Sequence, residues 1–185
     1  MKAKQIAEGI GGQLKLARKA KNWSLDKTSH FTGVSKAMLG QIERGESSPT
    51  IAKLWAIANG FEYPLSYFLG AAIDGEIQTQ PEQESYDKGL FISTVFAYDK
   101  ATNIEVFSIT LTPHHEHVSQ PHNPGVIEHI IVTSGVMEYL SDGQWHPLEK
   151  GQCVKFDAKT KHGYRNRTDA RATFQNIIAY TKGAK

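Results

Sequence analysis

The hydrophobic pattern of this chain changes period once. That change limits the chain to a helical part followed by a β part. Up to about residue 70 the apolar residues recur at helical spacing, with Ile6, Ile10, Leu14 and Ala17 following i, i+4, i+8, i+11 on one face. From about Leu90 the period becomes two: Phe91, Ser93, Val95 and Ala97 alternate with Ile92, Thr94 and Phe96. Between them, residues 71–88 are polar and acidic around Gln80, Pro81, Glu82, Gln83 and Glu84, without an apolar face, and read as a linker. A chain of 185 residues has room for two small domains. The expected division is residues 1–70, a linker over 71–88, and residues 89–185.

Punctuation sets the elements within each part. Ser24 is expected to cap a second helix that Gly33 ends, and Ser35 a third with Leu39 and Ile42 inward, closed by Gly45. Pro49 and Thr50 open a fourth helix carrying Ile51, Leu54, Trp55 and Ala58 inward, with Gly60 as its stop. Pro64 suits the first position of a short fifth, with Leu65 and Phe68. Further on, Asp142-Gly143 signals a tight hairpin, and residues 104–112 and 172–180 read as strands. Several short strands with turn residues between them suggest a barrel or jelly roll.

The net charge of +2 is unevenly spread. Residues 1–70 carry ten Lys or Arg against five Asp or Glu, whereas residues 71–88 carry one against five. A basic first third fits a polyanionic partner. No stretch approaches the roughly 18 apolar residues that span a bilayer. The basic N-terminus has no apolar run behind it, so neither membrane nor export is expected. Cys153 stands alone and cannot form an internal disulfide. A cytoplasmic location is expected, and Cys153, of opposite parity to Val154, reads as a buried hydrophobe.

The run from Trp23 to Gly45, with its turn Gly33, apolar Val34, Leu39 and Ile42, and then Gln41, Glu43, Arg44 and Gly45, resembles the helix-turn-helix of phage-repressor-like (XRE-type) regulators. The resemblance covers about residues 8–70. It implies a five-helix, lambda-repressor-like DNA-binding domain whose third helix enters the major groove. Thr28 stands where that family usually has Leu, and Phe31 is expected to fill the space. On the third helix Lys36, Ala37, Gly40 and Gln41 are expected to face outward. Gln41 can pair adenine bidentately, Lys36 can reach guanine or a phosphate, and the small Ala37 can meet a thymine methyl. Ser35 and Arg44 can position phosphates. So small a reading surface implies a homodimer on a twofold operator of double-stranded DNA, with half-sites about 34–36 Å apart.

Seven of the eight histidines follow residue 89, and five of them fall between 114 and 129. Clustered imidazoles suit a transition metal. His114 and His115, in an apparent turn over residues 113–117, read as exposed. The run Pro121-His122-Asn123-Pro124-Gly125-Val126-Ile127-Glu128, with Gly135 beyond it, resembles the first motif of the cupins; Gly151, His162 and Asn166 match the spacing of the second. The resemblance implies an all-β cupin, a double-stranded β-helix or jelly-roll barrel. Residue by residue it assigns metal-ligand roles to His122, Glu128 and His162. Asn123 and Pro124 stand where the family's second histidine would fall, and Asp157 and Lys159 replace the Pro and Gly of the second motif. Three protein ligands still suit zinc or another divalent transition metal with an open position; the other reading is a hydrogen-bonding pocket without metal. Tyr164 and Asn166 share strand parity with His162 and are expected to line the cavity for a ligand.

Together the halves are similar to cupin-fused XRE-type regulators, and especially to members implicated in sulfur or amino-acid utilisation. That implies a sequence-specific transcription regulator, not an enzyme, whose barrel senses a small-molecule effector. The alternatives are a metal-dependent cupin enzyme carrying a DNA-binding domain and a partner-binding module of antitoxin type.

Overall fold

A computed structural model describes residues 2–69 and 84–181, with side chains over 9–69 and 88–181. Most of the expected linker, and the side chain of Ile6, lie outside these described residues. The chain divides into two compact units, residues 1–71 and 72–185.

Among the described residues, the first unit holds five helices: α1 (Lys2–Ala20), α2 (Leu25–Thr32), α3 (Lys36–Glu43), α4 (Ile51–Phe61) and α5 (Ser66–Leu69). Three start where a short hydroxyl side chain can take an otherwise orphaned amide. Ser24 accepts from Lys27 N at 3.1 Å, Ser35 from Met38 N at 3.3 Å and Thr50 from Lys53 N at 3.4 Å. Gly33 ends α2 at φ 68°, a left-handed conformation that costs glycine no Cβ clash. Ile10, Leu14, Ala17, Leu39, Ile42, Leu54, Ile57, Phe61 and Phe68 fill the core.

Two expectations fail here. Gly60 does not end α4; the helix continues through Phe61, and Glu62 is the left-handed cap at φ 58°. Gly60 is needed for space instead, because a Cβ there would lie 2.7 Å from the Phe31 carbonyl oxygen and 2.8 Å from Thr32 Cα. Nor does Phe31 fill the gap at Thr28: it is 50% exposed and stacks on Trp23 with centroids 4.6 Å apart. Thr28 is itself buried, its hydroxyl satisfied by donating to Ser24 O at 2.9 Å, so no larger group is required there. Alanine at position 60 would gain roughly 1 kcal/mol of helix propensity, but overpacking against backbone costs about 1–3 kcal/mol. Gly60→Ala is therefore expected to lower the melting temperature of the helical unit, and a rise in thermal melts would contradict the close approach.

The described residues of the second unit form ten strands: β1 (Glu84–Asp87), β2 (Leu90–Asp99), β3 (Ile104–Leu111), β4 (Glu116–Ser119), β5 (Val126–Ser134), β6 (Val136–Ser141), β7 (Gln144–Glu149), β8 (Cys153–Asp157), β9 (His162–Arg165) and β10 (Ala172–Tyr180). One sheet runs β1-β2-β3-β10-β5-β8 and the other β4-β9-β6-β7, with antiparallel pairing throughout. Their inner faces meet through aromatic contacts, Tyr164 with Phe174 at 4.9 Å and Tyr139 with Phe156 at 5.9 Å. This is the two-sheet jelly-roll barrel that the cupin resemblance implies. Asp142 and Gly143 both have positive φ, 51° and 77°, and join β6 to β7 as the tight hairpin expected of that pair. The alternation of β2 is broken by a register shift between Thr94 and Phe96, which leaves Phe96 exposed. Cys153 is exposed, not buried: it lies on edge strand β8 with parity opposite to the half-buried Val154. Among the described residues no helix is long and apolar enough to cross a membrane.

Candidate functional site

In the first unit, α3 presents its reading face from a braced base. Leu39 and Ile42 are fully buried, so the opposite side of an eight-residue helix is left outward. Glu43, its last residue, takes two bonds from Arg18 of α1, Nε to Oε1 at 2.6 Å and Nη2 to Oε2 at 2.9 Å, while Arg18 Nη1 donates to Trp23 O at 3.0 Å. That hydrogen bond to Glu43 raises the pKa of Arg18 further. The bidentate geometry fixes orientation as well as distance. The sequence showed Glu43 in register but held no sign of Arg18 as its partner.

Ser35, Lys36, Ala37, Gln41 and Arg44 are exposed as expected. Gly40 is not. It is buried, and a Cβ there would meet Arg44 Nη1 at 3.1 Å and Leu25 Cδ1 at 3.8 Å. Its role is to let those side chains pass. Lys36 pairs with Asp26 at 2.8 Å and Arg44 bidentately with Glu46 at 2.7 Å, all of them exposed. Exposed pairs of this kind are weak and salt-screened, so either cation can be redirected to a phosphate.

In the barrel, His122, Glu128 and His162 come together. Each offers a ligand atom, and these lie within 4.8 Å of one another, with all three residues buried. Glu128 Oε1 is 3.0 Å from His122 Nε2 and 3.3 Å from His162 Nε2. His122 lies in the loop before β5, Glu128 on β5 and His162 at the start of β9, so both sheets contribute. The donor set fits a divalent transition ion on one particular observation. His162 Nδ1 faces the Thr160 carbonyl at 2.9 Å, which fixes its proton there and turns the Nε2 lone pair inward, where Nε2 makes no well-formed hydrogen bond.

The same contacts set the charges of the cluster. Burial pushes the Glu128 carboxyl up, but its contacts with the His122 and His162 rings outweigh burial and hold Glu128 well below its ordinary value. Burial lowers His122. At His162 burial is outweighed by the contact with Glu128, and the net direction is upward. Tyr164 donates its hydroxyl to Glu128 Oε2 and is pushed well above 10 by burial and then by the Glu128 charge, so it keeps its proton.

Asn166, expected to line the cavity, does not. It follows the last residue of β9, and its amide donates to Ala170 O at 2.7 Å and Thr112 O at 3.1 Å, while Oδ1 accepts from Thr168 N at 2.9 Å. Buried itself, it organises the surface turn that follows β9. Two cavity residues escaped the sequence reading. Asn176 of β10 donates Nδ2 to Glu128 Oε2 at 3.0 Å; it is the polar member of the inward series Phe174, Asn176, Ile178, and that was the available signal. His117 is buried on β4, in a segment that read as a turn. It bonds Ser119 Oγ at 3.1 Å, and its ring lies parallel to that of Tyr164. His114 is exposed and pairs with Asp169, whereas His115 is half-buried.

Burial, and next the charge of His115, lowers His117 to about 4. An unfolded histidine titrates near 6.5, so on acidification the unfolded chain takes up this proton first. The contribution of His117 is complete above pH ~6.5 and lost as the pH falls toward 4, a change of about 3 kcal/mol. Denaturant midpoints measured against pH should therefore fall less steeply for His117→Gln than for the native chain. Parallel curves would contradict the assignment.

A regulator fold thus emerges: an exposed recognition helix on one unit and a His–Glu–His barrel on the other. Comparison with known proteins agrees. The helix-turn-helix family HTH_3 matches residues 14–68 and the cupin domain family Cupin_2 matches residues 107–178. The HTH-type transcriptional regulator SutR of Escherichia coli K12 is 38% identical over 177 residues, covering 96% of this chain and 98% of that protein. A crystal structure of an HTH_3 family transcriptional regulator from Vibrio cholerae is 45% identical, covers 97% of this chain and 99% of that one, and superposes with a TM-score of 0.85. The cupin domain of an XRE family transcriptional regulator from Enterobacter cloacae is 35% identical over 51% of this chain and 99% of its own, with a TM-score of 0.50. The chain belongs to the XRE-type, cupin-containing helix-turn-helix transcriptional regulators, and as such it binds DNA.

Proposed function

We propose that this regulator is a one-component sensor. It binds a twofold operator as a homodimer in the cytoplasm, and its barrel takes up a small metabolite and biases DNA binding. The observation that carries the reading is the His122–Glu128–His162 cluster, ligand-ready and buried, on the same chain as an exposed recognition helix. Zinc or another divalent transition metal would be held by those three residues, and it would supply an open coordination position for an amine, thiol or carboxylate. Tyr164 keeps its proton and donates it to Glu128, and the buried His117 and Ser119 add polar groups near the cluster. Small amino acids, sulfur-containing ones first, are the effector class to try. A regulatory rather than catalytic role is supported by the end-to-end likeness to a transcriptional regulator.

On α3, Gln41 reads a base, Lys36 a base or phosphate, and Ala37 a methyl group, with Ser35 and Arg44 on the backbone. An effector acts only through different affinities for two arrangements of the dimer. A coupling of roughly 1–3 kcal/mol gives about 5–150-fold in operator affinity. The test uses a duplex enriched from a random pool by the full chain. Gln41→Ala should lose about 1–3 kcal/mol of discrimination at one base pair in each half-site while nonspecific binding persists. Amino acids titrated into the native complex should shift its affinity within the stated range. An affinity indifferent to every amino acid and thiol tried would make the barrel structural.

A further inference from the structure

Glu128 is held from both sheets. Its Oε2 accepts from Tyr164 of β9 and from Asn176 Nδ2 of β10 at 3.0 Å, and Asn176 Nδ2 also lies 3.3 Å from the Tyr164 hydroxyl. Its Oε1 faces the two histidines. All three of Glu128, Tyr164 and Asn176 are at most 4% exposed. On the first sheet Glu128 pairs with Ile178 and Asn176 with Ile130, so Asn176 stands one inward step along from Glu128 on the neighbouring strand. Its amide has one workable orientation. Turning it over would set Oδ1 against the carboxylate Oε2, whereas in the observed orientation Nδ2 donates and Oδ1 is left buried without a hydrogen-bond partner. An unsatisfied buried acceptor is unfavourable, and an apolar residue would avoid it. What the amide gives in return is the donor on Glu128.

We propose that Tyr164 and Asn176 are positioning residues that occupy Oε2 of Glu128 and so present the carboxylate to an ion through Oε1 alone. This rests on reading His122, Glu128 and His162 as the metal site. A one-oxygen carboxylate beside two imidazoles suits a small ion of tetrahedral habit. A larger hard cation such as calcium prefers many oxygens and often both oxygens of one carboxylate. The pair therefore sets the ion preference of the site as well as its affinity. Both groups are neutral donors, so they hold Oε2 without cancelling the formal charge of Glu128.

The test is titration of Co²⁺, Zn²⁺ and Ca²⁺ into the metal-free full chain against a chelating dye, with the visible spectrum of the Co²⁺ form recorded. Tyr164→Phe and Asn176→Ala should each weaken Co²⁺ and Zn²⁺ binding about 10–100-fold, alter the Co²⁺ spectrum and narrow the preference over Ca²⁺. Tyr164→Phe removes one oxygen and keeps the ring, so it decides the matter even where Asn176→Ala fails to accumulate as folded protein. If the native chain holds Co²⁺ and Tyr164→Phe matches it in affinity and spectrum, the clamp is overturned and the metal site stands. If the native chain binds neither Co²⁺ nor Zn²⁺, the metal reading falls and the clamp falls with it.

Discussion

Glu43→Ala is expected to destabilise the helical unit by about 1–3 kcal/mol and to weaken duplex binding as a consequence. Arg18 and Glu43 expose only 18% and 9% of their side chains. Deleting the carboxylate strands a guanidinium that was bound through both Nε and Nη2. The penalty is that of a half-buried guanidinium left with Trp23 O as its remaining bonded partner. It falls on the junction of α1 with the end of α3, so loss of stability and loss of DNA reading arrive together. Typical domains hold only about 5–15 kcal/mol in all. Denaturant titration followed by far-UV ellipticity measures the cost. The double change Arg18→Leu with Glu43→Leu should recover most of it, because no charge is then left unpaired. A single variant as stable as the native chain would remove the brace from the account.

Glu128→Gln is expected to have the largest effect in the barrel. It removes the anion of the three-residue cluster while nearly preserving its shape, and leaves two imidazoles, a phenol and an amide around a neutral group. The affinity for Zn²⁺ should fall by more than the roughly 10–100-fold that outer-shell changes cost. Any effector response that depends on the ion should go with it. Basal duplex binding, read by α3, should survive. Metal content by elemental analysis and operator affinity with and without amino acids check the two halves separately. Stoichiometric zinc retained by the Glu128→Gln variant would refute the ligand assignment.

The parts of this protein that were legible in sequence are those governed by neighbours along the chain. Ser24, Ser35 and Thr50 cap helices because a hydroxyl reaches an amide three residues on, and Asp142-Gly143 turns because both residues tolerate positive φ. The grouping of His122, Glu128 and His162 was legible because His122 and Glu128 belong to one motif and His162 to another, and the barrel brings them together. What could not be read depended on distant partners. Gly60 looks like a helix stop until the Phe31 carbonyl is placed beside it. Phe31 looks like core until Thr28 is seen to satisfy itself on Ser24 O. Parity placed Tyr164 correctly but misplaced Asn166, because it cannot say that β9 ends at Arg165. His117 and Asn176 were missed for the converse reason: a four-residue strand carries too little pattern, and one amide in an apolar series gives no hint of the carboxylate it meets.

The most direct measurement is selection of duplexes from a random-sequence pool by the intact protein at physiological ionic strength. The account predicts enriched sequences with two inverted half-sites centred about 10–10.5 base pairs apart, and loss of that preference in the Gln41→Ala variant. Sequences retained no better than scrambled competitor, or a preference unaltered by replacing Gln41 and Lys36 together, would contradict it.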